Sequence, residues 1–368
     1  MATETAAAAQ AERTPDELVG RLFAGTLGMF DVMAVYLGDQ LGLYRALRDG
    51  GPATPSELAK RAGIDERYAR EWLEQQAVTG ILDVDNAGAA PEKRRFALPD
   101  AYAEPLLNKD SPYSIAPLGR SIVACAKVMP QLMEAFRTGG GVEWAEYGPD
   151  MIESQGDFNR PWLLGSFGTE ILPAMPDIDA RLRADPPARV ADVACGVGWA
   201  AIAIAKAYPK VRVDGFDIDA ASIELARQNA RDAGVGDRVN FQKLDIAKAE
   251  AGAYDLAVIV EAVHDMTQPI GVLASLRRML RPDGVALIAD EKTADAFTAP
   301  ADDIERIYYG FSVFTCLPAA MTERPTEATG TVMRADNMRR LAGEAGFEGF
   351  ERLDEPALDM LRFYLLKP

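Results

Sequence analysis

The chain predicts an α/β protein: a Rossmann-like, doubly wound sheet of seven strands behind an amino-terminal, α-helical winged-helix domain. Three observations carry that expectation. From about residue 183 onward, short apolar strand-like runs alternate with segments of helical period. A glycine turn, Gly196-x-Gly198, joins the first of those strands to the first of those helices, where an open sheet places its ligand. Ahead of it, two short capped helices and a polar-tipped hairpin occupy residues 54–98.

Taken in order, residues 1–13 are low in complexity and read as a disordered tail. Leu18, Leu22, Phe23, Leu27, Phe30, Val32, Met33, Tyr36 and Leu37 then recur at helical spacing, with Gly38 and Gly42 as expected interruptions. So much apolar surface near the amino terminus predicts a partner chain, and a homodimer seam is the expected one. Thr54 caps a helix that Gly63 ends, Asp65 caps the next, and residues 81–84 and 95–98 would pair as a wing around Asn86 and Gly88. Winged helices often bind DNA. This second helix sets Asp65, Glu66, Glu71 and Glu74 against Arg67 and Arg70, a poor surface for phosphates, and only Lys93-Arg94-Arg95 in the wing points the other way. Domain 14–105 is therefore expected to dimerise or cap a substrate, without nucleic acid.

Residues 106–182 read as a helical linker and substrate cap, closed by the boundary-like stretch Ala184-Asp-Pro-Pro-Ala-Arg189. In domain 183–368 the expected strands are 190–193, 211–216, 239–243, 256–260 and 284–289, with helices from Trp199, over 220–233 and over 270–280. Residues 350–353 and 361–366 would close one edge as an antiparallel pair, after a lid insertion at about 295–330.

At 368 residues, with 48% hydrophobic and 26% charged residues, the chain has the composition of an ordinary globular protein. No uninterrupted apolar run approaches the ~20 residues of a membrane span, and residues 1–10 lack the features of a signal peptide, so the cytoplasm is the expected location. Net charge is −17, which repels nucleic acid and anionic membrane. Cys125, Cys195 and Cys316 form no CxxC pair, so neither a disulfide framework nor a thiolate metal site is expected.

The acids around the glycine turn are more specific than the glycines, which would equally fit a nicotinamide dinucleotide. Asp192 lies inside the first strand, Asp217 ends the second, and Asp245 follows the third. Asp217 is placed to take both ribose hydroxyls, and Asp245 to accept from an adenine amino group with Ile218 and Ile246 flanking the ring. Three carboxylates would repel a pyrophosphate and suit a cationic nucleoside, and S-adenosylmethionine, with its sulfonium and ammonium, fits.

The motif Asp192-x-Ala194-x-Gly196-x-Gly198 resembles the first motif of class I S-adenosylmethionine-dependent methyltransferases, departing from it at Ala194, where glycine is usual. Over roughly residues 35–366 the chain resembles actinobacterial members with an amino-terminal winged helix, which share Tyr147-Gly-Pro-Asp-Met151, Phe158-Asn-Arg-Pro161 and Glu261-Ala-Val-His264-Asp265-Met266. The resemblance implies methyl transfer to a small acceptor in secondary metabolism. It is also similar in layout to small-molecule O-methyltransferases that dimerise through a winged helix and place a His-Asp pair after the fourth strand.

His264, the chain's one histidine, falls on that position with Asp265. A neutral imidazole there can take the acceptor's proton as the methyl arrives. Glu261 and Glu291 are candidates to orient it or the substrate, Glu261 also standing near the cofactor. No metal is expected, because Asp245, committed to adenine, leaves Asp265 and Asp290 a thin ligand set. Trp144, Tyr147, Phe158 and Trp162, with Tyr308, Tyr309, Phe311 and Phe314 from the lid, are the expected walls of an aromatic acceptor pocket. Two other readings stay open: a winged-helix transcriptional regulator that senses a nucleoside, and an NAD-dependent dehydrogenase, which Asp192 and Asp245 disfavour.

Overall fold

The computed structural model describes residues 14–354 and 358–368, so the expected tail at 1–13 lies outside the described residues. The chain forms two compact units, Met1–Asn108 and Lys109–Pro368.

In the first unit, Thr14 and Glu17 form a capping box that starts a helix running unbroken over Pro15–Gln40. Gly42, in the left-handed region at φ 65°, ends it, but Gly38 does not interrupt it as expected. Glycine is needed at 38 for a different reason. A Cβ there would lie 2.4 Å from Cε2 of Tyr44 and 2.7 Å from Cζ2 of Trp72, the two rings that hold this helix to the rest of the unit. Gly38→Ala is expected to destabilise the unit by about 1–3 kcal/mol through overpacking, read as a lower urea midpoint. An unchanged midpoint would mean that the rings yield.

The same helix is, by length and composition alone, apolar enough to cross a membrane, although its apolar residues form no uninterrupted run. Its carboxyl-terminal half is tied to the winged helix, with the Trp72 indole donating to the Ala34 carbonyl at 2.9 Å and the Gln75 amide to Asp31 at 3.1 Å. Thr54 and Glu57 form a second capping box on Pro55–Ala62, Gly63 ends that helix at φ 68°, and Asp65 caps Glu66–Val78. Strands β1 (Asp83–Asp85) and β2 (Arg95–Ala97) pair antiparallel as the wing.

The second unit contains a seven-stranded sheet: β3 (Arg189–Val193), β4 (Arg212–Asp217), β5 (Val239–Lys243), β6 (Tyr254–Val260), β7 (Leu280–Glu291), β8 (Gly349–Leu353) and β9 (Leu361–Lys367). Their order is β5-β4-β3-β6-β7-β9-β8; the first five are parallel, and β9 runs antiparallel to both its neighbours. Chain order reverses at β3, whose neighbours are β4 and β6, which opens a crevice at the carboxyl ends of these strands. Helices Trp199–Ala207 and Ala220–Asp232 pack in the core on one face, and Pro269–Met279 and Ala335–Glu344 in the core on the other.

The expected linker does not stand apart. Helix Pro149–Trp162 continues through a wider turn over Leu163–Ile171, and Leu163, Phe167 and Ile171 share the apolar core of helix Trp199–Ala207. Gly168 allows that approach, since a Cβ there would meet the Ala207 methyl at 2.6 Å. The unit boundary falls at Asn108, with residues 109–182 in the same unit as the sheet.

Candidate active site

A cavity of about 680 Å³ opens over the carboxyl ends of β3, β4, β5 and β6. Its floor is the turn after β3. Ala194 and Gly196 lie in the left-handed region at φ 54° and 50°, and Gly198 follows at φ 88°. Gly198 is required by packing, because a Cβ there would sit 2.5 Å from Cζ of Phe241; around Gly196 the space is open. The turn then presents its backbone to the cavity.

The acids expected from the sequence hold this turn. Asp192 is buried and accepts from the Ala201 amide at 3.0 Å, bracing the start of helix Trp199–Ala207. Asp217 accepts from the Gly196 amide at 2.9 Å through one oxygen and from the Asp219 amide at 2.8 Å through the other, so its carboxylate is fixed with lone pairs still to offer. Asp245 accepts from the Ala247 amide at 2.9 Å and lines the cavity. Ile218 also lines it and stays 74% exposed, an apolar face with nothing on it. Ile246 departs from expectation: it points into the core under the sheet and does not line the cavity.

Burial pushes the Asp192 carboxyl up to about 7. A carboxyl whose folded pKa lies above its unfolded one contributes stability at low pH that is lost as pH rises between the two values. Asp192→Asn keeps an acceptor for Ala201. It is therefore expected to leave the melting temperature near that of the parent at pH 4 and to raise it at pH 8. A lower Tm at both pH values would contradict this account.

At the tip of β6, Glu261 is a non-glycine residue at φ 48°, and its Oε2 accepts from the amides of Gln155 at 3.1 Å and Asn159 at 3.2 Å. Burial pushes its carboxyl up to about 7. Gln155 and Asn159 were not anticipated. They lie one helical turn apart on Pro149–Trp162, beside Gly156, where a Cβ would strike Cγ2 of Val197 at 2.3 Å. Two amides at that spacing flanking a glycine were the available signal.

His264 sits in the short turn Val263–Asp265 and is 2% exposed. Its Nδ1 lies 2.8 Å from Oδ1 of Asp290 and 2.9 Å from Oε2 of Glu291, and its Nε2 lies 3.2 Å from Oδ1 of Asp265. One Nδ1–H serves one acceptor, and Asp290 takes it. Burial alone would push the imidazole pKa down, but Glu291, Asp290 and Asp265 outweigh it and hold the ring well above its ordinary value. Burial likewise pushes Glu291 well up, whereas Asp290, although buried, is held below the usual carboxylate value by His264. Asp290 was not among the expected catalytic residues. Adjacent to Glu291 on one strand, it could not be told from its neighbour by spacing, and both carboxylates reach the His264 Nδ1. Asp265 and Glu261 line the cavity; His264 stands behind Asp265 and does not.

Among the described residues, His264 with Asp265 and Cys316, and His264 with Asp290 and Glu291, bring possible metal ligands together. The 2.8 and 2.9 Å contacts from Nδ1 to the two carboxylates are hydrogen-bond lengths. Asp245 belongs to neither set.

Of the eight aromatic residues expected around the acceptor, Trp144 lines the cavity. Tyr147 is fully buried and donates to the Phe314 carbonyl at 2.9 Å, Trp162 donates to Asn159 at 2.9 Å while packing edge-on to Phe167, and Tyr308 is buried and donates to the Met360 carbonyl. Tyr309 packs against Phe297, and Phe158, Phe311 and Phe314 lie off the wall. Tyr147, Trp162 and Tyr308 are spent on packing and hydrogen bonds, whereas Phe158, Tyr309 and Phe314 are exposed away from the cavity wall. The wall on that side is made by Ala319, Thr322 and Glu323 instead.

Comparison with known proteins bears on this geometry. A family profile described as a methyltransferase domain matches residues 184–338, which hold the glycine turn and strands β3 to β7, and one described as an Rv2258c-like winged HTH domain matches residues 28–107. The chain carries a methyltransferase domain. Over 176 residues it is 28% identical to an O-methyltransferase of Pyrenophora dematioidea, covering 47% of this chain and 59% of that protein. The chain spans between 5 and 59% of the length of the first curated relatives it matches. Among solved structures, PigF with S-adenosylhomocysteine superposes with a TM-score of 0.70 at 19% identity, covering 97% of this chain and all of that one. Human N-acetylserotonin methyltransferase in complex with S-adenosylmethionine gives 0.63 at 17%, covering 97 and 99%. At such identities these likenesses establish the fold. The donor set of the methyltransferase domain fits S-adenosylmethionine: pinned Asp217 for vicinal hydroxyls, Asp245 for an amino group, exposed Ile218 for a ring, and acids rather than bases facing a cation.

Proposed function

We propose that the protein transfers the methyl group of S-adenosylmethionine to a small, aromatic acceptor in secondary metabolism. The observation that carries this reading is Asp217, locked by two backbone amides at the cavity wall beside uncovered Ile218. When bound, the cofactor supplies a methyl group on a sulfonium leaving group. Asp217 and Asp245 hold its nucleoside, the turn at 194–198 gives it room, and Trp144 offers the acceptor a flat face. The transfer then depends on alignment and on removal of the acceptor's proton. Asp265, on the wall, receives that proton, with the unprotonated form of His264 behind it as the general base and Asp290 orienting the ring. Isothermal titration with S-adenosylhomocysteine tests the reading: micromolar binding supports it, and no binding by folded protein ends it.

The winged helix serves dimerisation in this reading. Leu18, Leu22, Phe23, Leu27 and Phe30 on helix Pro15–Gln40 are each at least half exposed, a continuous apolar face suited to a second copy. Four of its arginines are engaged by acids: Arg67 with Glu71, Arg70 with Glu74 and Glu92, Arg94 with Glu74 at 2.7 Å and Arg95 with Glu57 at 3.0 Å. Such pairing leaves little positive charge for a nucleic-acid backbone, which supports an enzyme over a regulator.

A further inference from the structure

The charge of the cavity wall bears on what the acceptor must carry. Asp192, Asp217, Asp219 and Asp245 face it at the nucleoside end, and Glu143, Glu261, Asp265 and Glu323 face it elsewhere. Among the described residues, no lysine, arginine or histidine lines it. With 56 acidic and 39 basic residues in the chain, eight charged residues drawn at random would seldom all be acids. S-adenosylmethionine brings a single net positive charge, two cations against one carboxylate, which leaves the wall far from neutral.

Nearby bases are turned away from it. Arg160 lies over the Trp199 ring and pairs with Asp110 at 2.6 Å, Arg324 donates to the Gly139 carbonyl, and His264 is bonded to Asp290 behind Asp265. Two of the wall acids are built into the site and are not merely solvated. Glu261 holds a left-handed backbone that a non-glycine residue seldom adopts. Its carboxylate is met only by the neutral amides of Gln155 and Asn159, and burial pushes its pKa up, the condition of an acid that an incoming cation would stabilise. Asp265, on the same wall, has its Oδ1 3.2 Å from Nε2 of His264. Trp144, on the same wall, adds a ring face of the kind that attracts a cation.

Resting on the methyltransferase reading, we infer that the acceptor is an amine, bound through its ammonium group by Glu261 with Glu143 and Glu323 on the same wall. Acceptors bearing phosphate or carboxylate, including acyl groups presented on a phosphopantetheine arm, are refused by the same charges. The ammonium is a handle for recognition, separate from the atom that is methylated.

Three probes that share one ring and differ in side-chain charge test this: tryptamine, indole-3-ethanol and indole-3-acetate, titrated into the whole protein saturated with S-adenosylhomocysteine. Tryptamine is expected to bind at least tenfold more tightly than indole-3-ethanol, with indole-3-acetate weakest, and the tryptamine advantage is expected to fall below threefold in Glu261→Gln. Equal affinities, tighter binding of indole-3-acetate, or no binding of tryptamine overturns the inference. Should Glu261→Gln fail to fold, Glu143→Gln/Glu323→Gln replaces it, with a partial loss of the advantage expected and no loss counting against the inference. A second readout needs no cofactor. The emission of Trp144, isolated by difference from Trp144→Phe, is expected to be quenched at least threefold more efficiently by caesium than by iodide, each corrected against free tryptophan. Equal quenching would overturn the charge argument. Failure of S-adenosylhomocysteine to bind would instead strike the methyltransferase reading, while the quenching ratio would still report on the wall.

Discussion

Asp217→Ala is expected to weaken S-adenosylhomocysteine binding by at least 100-fold in isothermal titration, while the protein stays folded. The carboxylate does two things at once. It accepts the amides of Gly196 and Asp219, which sets the shape of the turn after β3, and its remaining lone pairs face the cavity. A hydrogen bond to a charged group is worth about 1.5–3 kcal/mol, so losing two to a ribose costs about 3–6 kcal/mol, a factor of 10² or more in Kd. Asp217→Asn keeps one carbonyl acceptor and is expected to lie between parent and alanine variant. Burial holds the Asp217 carboxyl above its ordinary pKa, so removing the charge relieves a desolvation cost and the alanine variant need not lose stability in proportion. An affinity within threefold of the parent, in a variant with a parent-like melting curve, would show that the nucleoside lies elsewhere.

His264→Ala is expected to leave S-adenosylhomocysteine affinity within a few fold and to lower turnover at least ~100-fold, the usual scale for a lost general base. The pH profile separates this role from a structural one. A base acts unprotonated, and the carboxylates of Glu291, Asp290 and Asp265 hold the His264 ring well above its ordinary pKa. Turnover in the parent is therefore expected to rise with pH through the neutral range and beyond it, rather than levelling off near the ordinary histidine value. Asp290→Asn removes the nearest anion while keeping an acceptor for Nδ1–H, and is expected to move that rise to lower pH. A flat profile in the parent, or turnover unchanged in His264→Ala, would remove histidine from the chemistry and leave Asp265 alone on the wall.

Much of the sheet was legible because buried parallel strands are written as short apolar runs between helical periods. Residues 190–193 and 239–243 fall within strands of almost the same bounds, β3 and β5. β7 was read short, because Arg281, Pro282 and Asp283 look like a turn; Leu280 nevertheless pairs with Tyr254 across an irregularity in the ladder. The acids of the nucleoside site could be read because each lies within two residues of the carboxyl end of its strand. Gly38 was misread for the complementary reason: a helix tolerates glycine when a ring from elsewhere in the chain occupies the space of the missing side chain.

The sequence by itself determined the alternation of strands and helices, the capped winged helix, the acidic balance of the chain, and the turn from Asp192 to Gly198 with Asp217 and Asp245 nearby. All of these depend on local spacing or on composition. Only the tertiary structure decided that Asp290 takes the His264 Nδ1 proton, that Gln155 and Asn159 clamp Glu261, that most of the expected pocket aromatics lie off the cavity wall, and that every charged residue on that wall is an acid. Those facts join residues about a hundred positions apart or more, or turn on which way neighbouring side chains point. Periodicity carries no information on such pairings, which are set by how helix Pro149–Trp162 and the strand ends close around one space.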